Sequence, residues 1–160
     1  MANNINVLQH MSEHCDTINE YLDVADITTK EAFKENPMVQ DAVVMRLLAL
    51  GELTTHLSDE FKETTANEID WRNLKQLRNV IAHRYGAIQF DTIWEITQSD
   101  IPIIKGFCNI NIKKLEDEIN TVMQQKAKVS ELYKMSAVKN MDTTILSNPN
   151  PNGDGNEGLG

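Results

Sequence analysis

Cysteine is nearly missing from this chain: Cys15 and Cys108 are the only two among 160 residues. They lie far apart and match no paired metal or redox spacing, which excludes a disulfide scaffold or a zinc ribbon. Both read as buried small hydrophobes in a reducing compartment. Long apolar runs are missing too. The greasiest stretch, "DAVVMRLLALGEL", is short and carries Arg46 inside it, so no membrane span is expected. The N-terminal "MANNINVLQHMSEH" has no basic region ahead of an apolar run, so no signal peptide is expected and the chain reads as cytoplasmic. Positive charge is scarce, with 15 Lys and Arg against 24 Asp and Glu, a net charge of −9. Such an acidic surface repels nucleic acid in general. Metal chemistry is poorly served as well. His10 and His14 stand at i, i+4 in "HMSEH", but Glu13 points to another face and no third ligand follows, so a solvated helix face is the better reading. The Asn- and Asp-rich C-terminus lacks the register of a calcium loop. No metal and no cofactor is expected.

What remains is helix. The 41% hydrophobic and 24% charged content suits a soluble domain with a core. Ile5, Leu8, Cys15, Ile18, Leu22 and Ala25 share one helical face and predict a first helix over about 4–26. "TTKE" at 28–31 has the form of a capping box, with Thr28 as N-cap. Asn36 followed by Pro37 opens a third helix, read over about 37–62. That helix has two apolar faces, Val43, Leu47, Leu50, Leu57 and Phe61 on one and Ala42, Met45 and Ala49, then Glu52 and His56, on the other. It is therefore central in its bundle or also packs on a partner chain. Gly51, costly inside a helix, suggests a close helix contact. Asp70 caps a fourth helix running to Tyr85, ended by Gly86. Asp91 caps a short segment, and Asp100 with Pro102 starts a final helix to about residue 135. No alternation long enough for a strand occurs. The expected architecture is all-α, a bundle of about five helices over 1–138, with 139–160 a disordered tail rich in Asn, Gly and Pro.

One window breaks the charge pattern. Residues 71–90 hold Arg72, Lys75, Arg78 and Arg84 and no acid, a local +4 in a chain of −9. On a wheel of about 100° per residue, Trp71, Leu74, Arg78, Ile81 and Tyr85 form one stripe. Arg78 is thus a cation in an apolar seam, and a structural ion pair, with Glu52 as the partner, is the simplest account. Removing Glu52 is then expected to strand a buried cation. His83 lies about 140° round the wheel from Arg78, so one chain does not point them the same way. A lone histidine near a helix end is ordinarily a partner of the helix dipole. His56 reads as an interhelix hydrogen-bonder or as support for the arginine.

The text from Val7 to Ile104 resembles the HepT-like proteins, a minimal branch of the HEPN (higher eukaryotes and prokaryotes nucleotide-binding) superfamily. The resemblance rests on "VQDAVVMRLLALGEL", on Trp71, on "RNVIAHRY" from Arg78 to Tyr85 with its R-x4-H-x-Y spacing, and on "TIWEITQSDIP". It implies a HEPN-type antiparallel helical bundle that forms a homodimer and brings two copies of Arg78 and His83 into one basic cleft. Members of this kind are metal-independent endoribonucleases in which the RNA 2′-hydroxyl attacks the adjacent phosphate. Arg78 and His83 would then be catalytic: a histidine ordinarily titrates near ~6.5 and suits proton transfer, and a guanidinium suits the extra charge on the phosphorane. Asn79 and Glu52 would support them, while Arg72, Lys75 and Arg84 would bind RNA. In toxin–antitoxin pairs of this family an MntA-like nucleotidyltransferase antitoxin attaches AMP to the motif tyrosine, here Tyr85. The competing reading is a non-catalytic HEPN module that binds a nucleotide or a protein.

Overall fold

The computed structural model describes residues 2–83, 86 and 88–146, with side chains from 3 to 139 within those spans. Among the described residues there are six α-helices and no strand: α1 Ala2–Val24, α2 Lys30–Lys34, α3 Pro37–Leu53, α4 Asp59–Thr64, α5 Trp71–His83 and α6 Phe90–Leu146. A 3-10 turn, Thr54–His56, follows α3. The chain divides into one compact unit, Met1–Asp117, and a second beginning at Glu118. No helix among the described residues is long and apolar enough to cross a membrane.

Caps set most of the helix starts. Asn36 accepts from the Val39 N–H at 3.2 Å with Pro37 in the first turn, as its sequence position predicts. Asp70 Oδ1 accepts from the Asn73 N–H at 2.9 Å and starts α5. Thr29, not Thr28, caps α2 by accepting from the Ala32 N–H at 3.2 Å. This register also directs Phe33 fully inward, onto Trp94 at 5.6 Å between ring centroids.

Two helices differ from their expected extents. The sequence predicts a third helix continuous to about residue 62, but it stops at Leu53. The Thr54 hydroxyl donates to the Gly51 carbonyl and the Thr55 hydroxyl to the Glu52 carbonyl, both at 2.7 Å, so side chains compete with the helix ladder there. Ser58 then caps α4, and Asn4 on α1 clamps that cap through both atoms of its amide. Leu57 and Phe61 are buried all the same. The final helix, by contrast, runs unbroken through Pro102. The buried row Trp94, Thr97, Ile101, Ile104, Cys108 and Leu115 carries it, while Pro102 is on the exposed side. There the carbonyl orphaned by the missing N–H belongs to exposed Gln98 and can meet water. The same helix continues through Leu146, past the 138 boundary drawn from composition, because adding a turn to an existing helix costs far less than starting one. Residues 147–160 of the expected tail lie outside the described residues.

Within the first unit α3 packs between α1 and α5, and an aromatic cluster seats the start of α5. Trp71 meets Phe107 edge-on at 5.4 Å and Phe61 at 6.3 Å, and its indole N–H donates to Thr65 Oγ1 at 3.0 Å. Cys15 and Cys108 are free and fully buried in this unit. Burial pushes both thiols up to about 12. A thiol reagent at pH 8 is therefore expected to leave the native protein unlabelled and to modify two thiols per chain once it is unfolded. Rapid native labelling would contradict this packing. In the second unit the helix from Thr121 to Lys139 is exposed along its length.

Candidate active site

The site is built where α5 crosses the end of α3. Gly51 lets the two helices meet: a Cβ placed there would lie 2.5 Å from Arg78 Cβ and 3.2 Å from the Leu74 carbonyl oxygen. The next residue on α3, Glu52, binds Arg78 Nε through its Oε1. Arg78 Nη1 donates to Asn79 Oδ1 at 2.8 Å. Two of the five N–H donors of the guanidinium are thereby committed within the chain, and its plane is fixed. The ion pair expected from the wheel is present, but it is not buried. The two side chains keep 29% and 44% of their surface, so loss of Glu52 would not strand a cation in a dry core, as the apolar seam suggested. The hydrogen bond from Arg78 holds the Glu52 carboxyl below the usual carboxylate range, with the Arg78 and His56 charges adding to it. In turn Glu52 raises the arginine. The sign follows: the pair is intact above the ordinary carboxylate range and is lost as pH falls through the lowered value.

His83 is the last residue of α5 and is exposed, on a different side from the half-buried Arg78. Arg72 and Lys75 are exposed on the same helix. Arg84 and Tyr85 lie outside the described residues. His56 is not on the α3 face with Glu52, because α3 has ended; it sits exposed in the 3-10 turn, within electrostatic reach of that carboxylate. His10 pairs with Glu13 at 2.9 Å on the surface. Gln76 is exposed on the same helix, and Arg72, Gln76, Asn79 and His83 stand at i, i+4, i+7 and i+11, within about 60° of one another.

The first unit is thus all-α and presents an anchored arginine and an exposed histidine on one acid-free helix. A family model described as "Ribonuclease HepT-like" matches residues 11–110, and the chain belongs to this HepT-like ribonuclease family. Among curated relatives, a protein of Methanocaldococcus jannaschii named "Gamma-glutamylcyclotransferase and putative RNase" is 29% identical over 118 residues, 74% of this chain and 46% of that protein. A second protein of that organism, named "Putative RNase", is 33% identical over 73 residues, 46% of this chain and 66% of that protein. The chain thus spans less than two thirds of either. "Probable ribonuclease HepT" of Thermococcus cleftensis is 26% identical over 98 residues, 59% of this chain and 88% of that protein. No solved structure matches the chain.

Proposed function

We propose that the protein is a metal-independent endoribonuclease, working as a homodimer whose cleft holds Arg78 and His83 from both copies. The RNA 2′-oxygen attacks the adjacent phosphorus while an imidazole takes the hydroxyl proton. The bond to the 5′-oxygen breaks, and that oxygen receives a proton from a second imidazole supplied by the other copy. The products are a 2′,3′-cyclic phosphate and a 5′-hydroxyl, with no water consumed. The observation that supports this best is the anchoring of Arg78 by Glu52 and Asn79. A guanidinium fixed before the reaction stabilises developing phosphorane charge without reorganising. Arg72, Lys75 and Arg84 draw RNA to this acid-free window of an acidic protein.

The chain acts as a toxin, neutralised when an MntA-like nucleotidyltransferase moves AMP from ATP to the Tyr85 oxygen and releases pyrophosphate. A phosphate added seven residues beyond Arg78 on the helical wheel's stripe competes for the same cation. The test is direct. Purified full-length protein, shown by intact mass to carry no AMP, is incubated with RNA with and without EDTA. Cleavage with cyclic-phosphate termini in both samples is expected. RNA left intact by an unmodified dimer would favour the non-catalytic binding module, and a strictly monomeric protein would remove the basis for a shared cleft.

A further inference from the structure

Helix α3 is apolar on two sides. Its inner side buries Val39, Val43, Val44, Leu47 and Leu50, with α1 and α5 packed against it. On its outer side Met38, Ala42, Met45, Ala49 and Glu52 stand at i, i+4, i+7, i+11 and i+14 and fall within about 80° of one another. Met38 keeps 78% of its surface exposed and Met45 59%, while Ala42 and Ala49 are half-buried. No charge interrupts this row before Glu52. Arg46, beside the row, turns away from it, with Nη2 donating to the Tyr21 hydroxyl oxygen at 2.8 Å, and Glu52 is committed to Arg78. A helix that is apolar all round is a buried helix, yet one copy of this chain covers α3 on one side only. Exposed apolar side chains occur on α6 as well, Ile103 and Ile110 among them. The α3 row differs from those in two respects. It alternates large and small, Met, Ala, Met, Ala, so a reversed copy of the row offers a hole to each knob. It also ends on the residue that anchors the catalytic arginine. A two-fold axis opposite the middle of the turn from Met45 to Ala49 packs Met45 on the partner's Ala49 and Ala49 on the partner's Met45. Glu52 then stands about 8 Å from the axis along the helix, at 1.5 Å per residue, in both copies. The two anchored guanidiniums are thereby brought to one narrow space.

We propose that the outer side of α3 is the seat of a second copy of this chain, with Met45 on the partner's Ala49 as its central contact, and that this contact brings both Arg78 side chains to one RNA phosphate. This rests on the ribonuclease reading of the same site and supplies the surface on which its two-copy cleft is assembled. Without that contact each copy holds half of the cleft.

The experiment uses full-length protein, with sedimentation to measure the dimer. Cleavage is followed on oligonucleotides with one ribonucleotide in an otherwise 2′-deoxy strand, so that a single linkage can be cut. Met45→Glu sets a carboxylate against the partner's Ala49, and Ala49→Lys sets an ammonium against the partner's Met45. Each alone is expected to weaken the dimer by about 10²-fold or more, since an unpaired charge enters an apolar contact, and to lose cleavage in step. Mixed in equal amounts, the two proteins are expected to regain both dimer and cleavage. In the mixed pair the new carboxylate meets the new ammonium, and the second contact is the parental Met45 on Ala49. That recovery also shows that both variants fold. Ile110→Glu, at a comparably exposed apolar position on α6, keeps dimer and cleavage. A dimer that survives Met45→Glu assigns the row to some other partner and overturns the seat. Variants that stay apart when mixed overturn it too. A monomeric parent removes the seat and the shared cleft together. A parent dimer that dissociates in Met45→Glu and re-forms on mixing, yet cuts no RNA, upholds the seat and removes the ribonuclease reading alone.

Discussion

His83→Ala is expected to lower RNA cleavage by about 10²–10⁴-fold, the range for loss of a positioned proton-transfer group. The substitution changes an exposed residue at the last position of α5, so the fold and its melting temperature should survive and the loss should sit in kcat. Arg78→Ala should cost about 10²–10³-fold, as for removal of one preorganised donor to transition-state charge. Arg78→Lys separates charge from geometry. An ammonium keeps the charge, but it cannot bind Glu52 and Asn79 through two edges of one plane, as Nε and Nη1 do. The lysine variant should therefore lie much closer to alanine than to the parent. Steady-state rates on a single-linkage oligonucleotide, with circular dichroism to confirm folding, measure all three. Folded His83→Ala and Arg78→Ala proteins that both cut within tenfold of the parent would remove these residues from the reaction.

How much of this could be read beforehand depended on the range of the interaction. Asn36, Pro37 and Asp70 were legible as helix starts because a cap is satisfied within three residues. The pairing of Arg78 with Glu52 was legible too, since a cation in an apolar stripe requires a partner and Glu52 continues the facing helix. Choosing Thr29 over Thr28 was not, because both can cap and only the burial of Phe33 decides between them. The break after Leu53 was hidden for a related reason. Apolar spacing carries on through Leu57 and Phe61, and the 3-10 turn keeps both inside even though the helix has ended. Pro102 misled in the other direction: its local preference to start a helix yields to six buried side chains that hold α6 together around it. At the site, the apolar stripe overstated burial. Arg78 has apolar neighbours along α5, yet its guanidinium emerges beside Glu52 at the edge of the bundle, where both side chains meet solvent.

Gly51 turns the same crossing into a test of opposite signs. In the interior of a helix, glycine to alanine ordinarily gains about 1 kcal/mol from backbone entropy. At Gly51 the new methyl would meet Arg78 Cβ at 2.5 Å and the Leu74 carbonyl at 3.2 Å, atoms at or next to the backbone that no rotamer change can move. Overpacking of this kind costs about 1–3 kcal/mol, so Gly51→Ala should be destabilising on balance, by up to about 2 kcal/mol. For a chain of this size that is a melting temperature lower by several degrees, at about 2–4 °C per kcal/mol. Gly106 is also inside a helix, α6, but a Cβ there meets nothing within 4 Å. Gly106→Ala should therefore raise the melting temperature and leave cleavage as it is. The two variants should diverge further in activity. Relief at Gly51 comes only by moving α5 away from α3, which shifts the guanidinium relative to Glu52, and a displacement near 1 Å at a catalytic group can cost about 10²-fold. Differential scanning calorimetry and single-linkage kinetics on the pair decide the matter. A Gly51→Ala protein that melts higher than the parent and cuts RNA at the parental rate would mean that α3 and α5 are not held in contact there, and that Arg78 does not owe its position to the missing side chain.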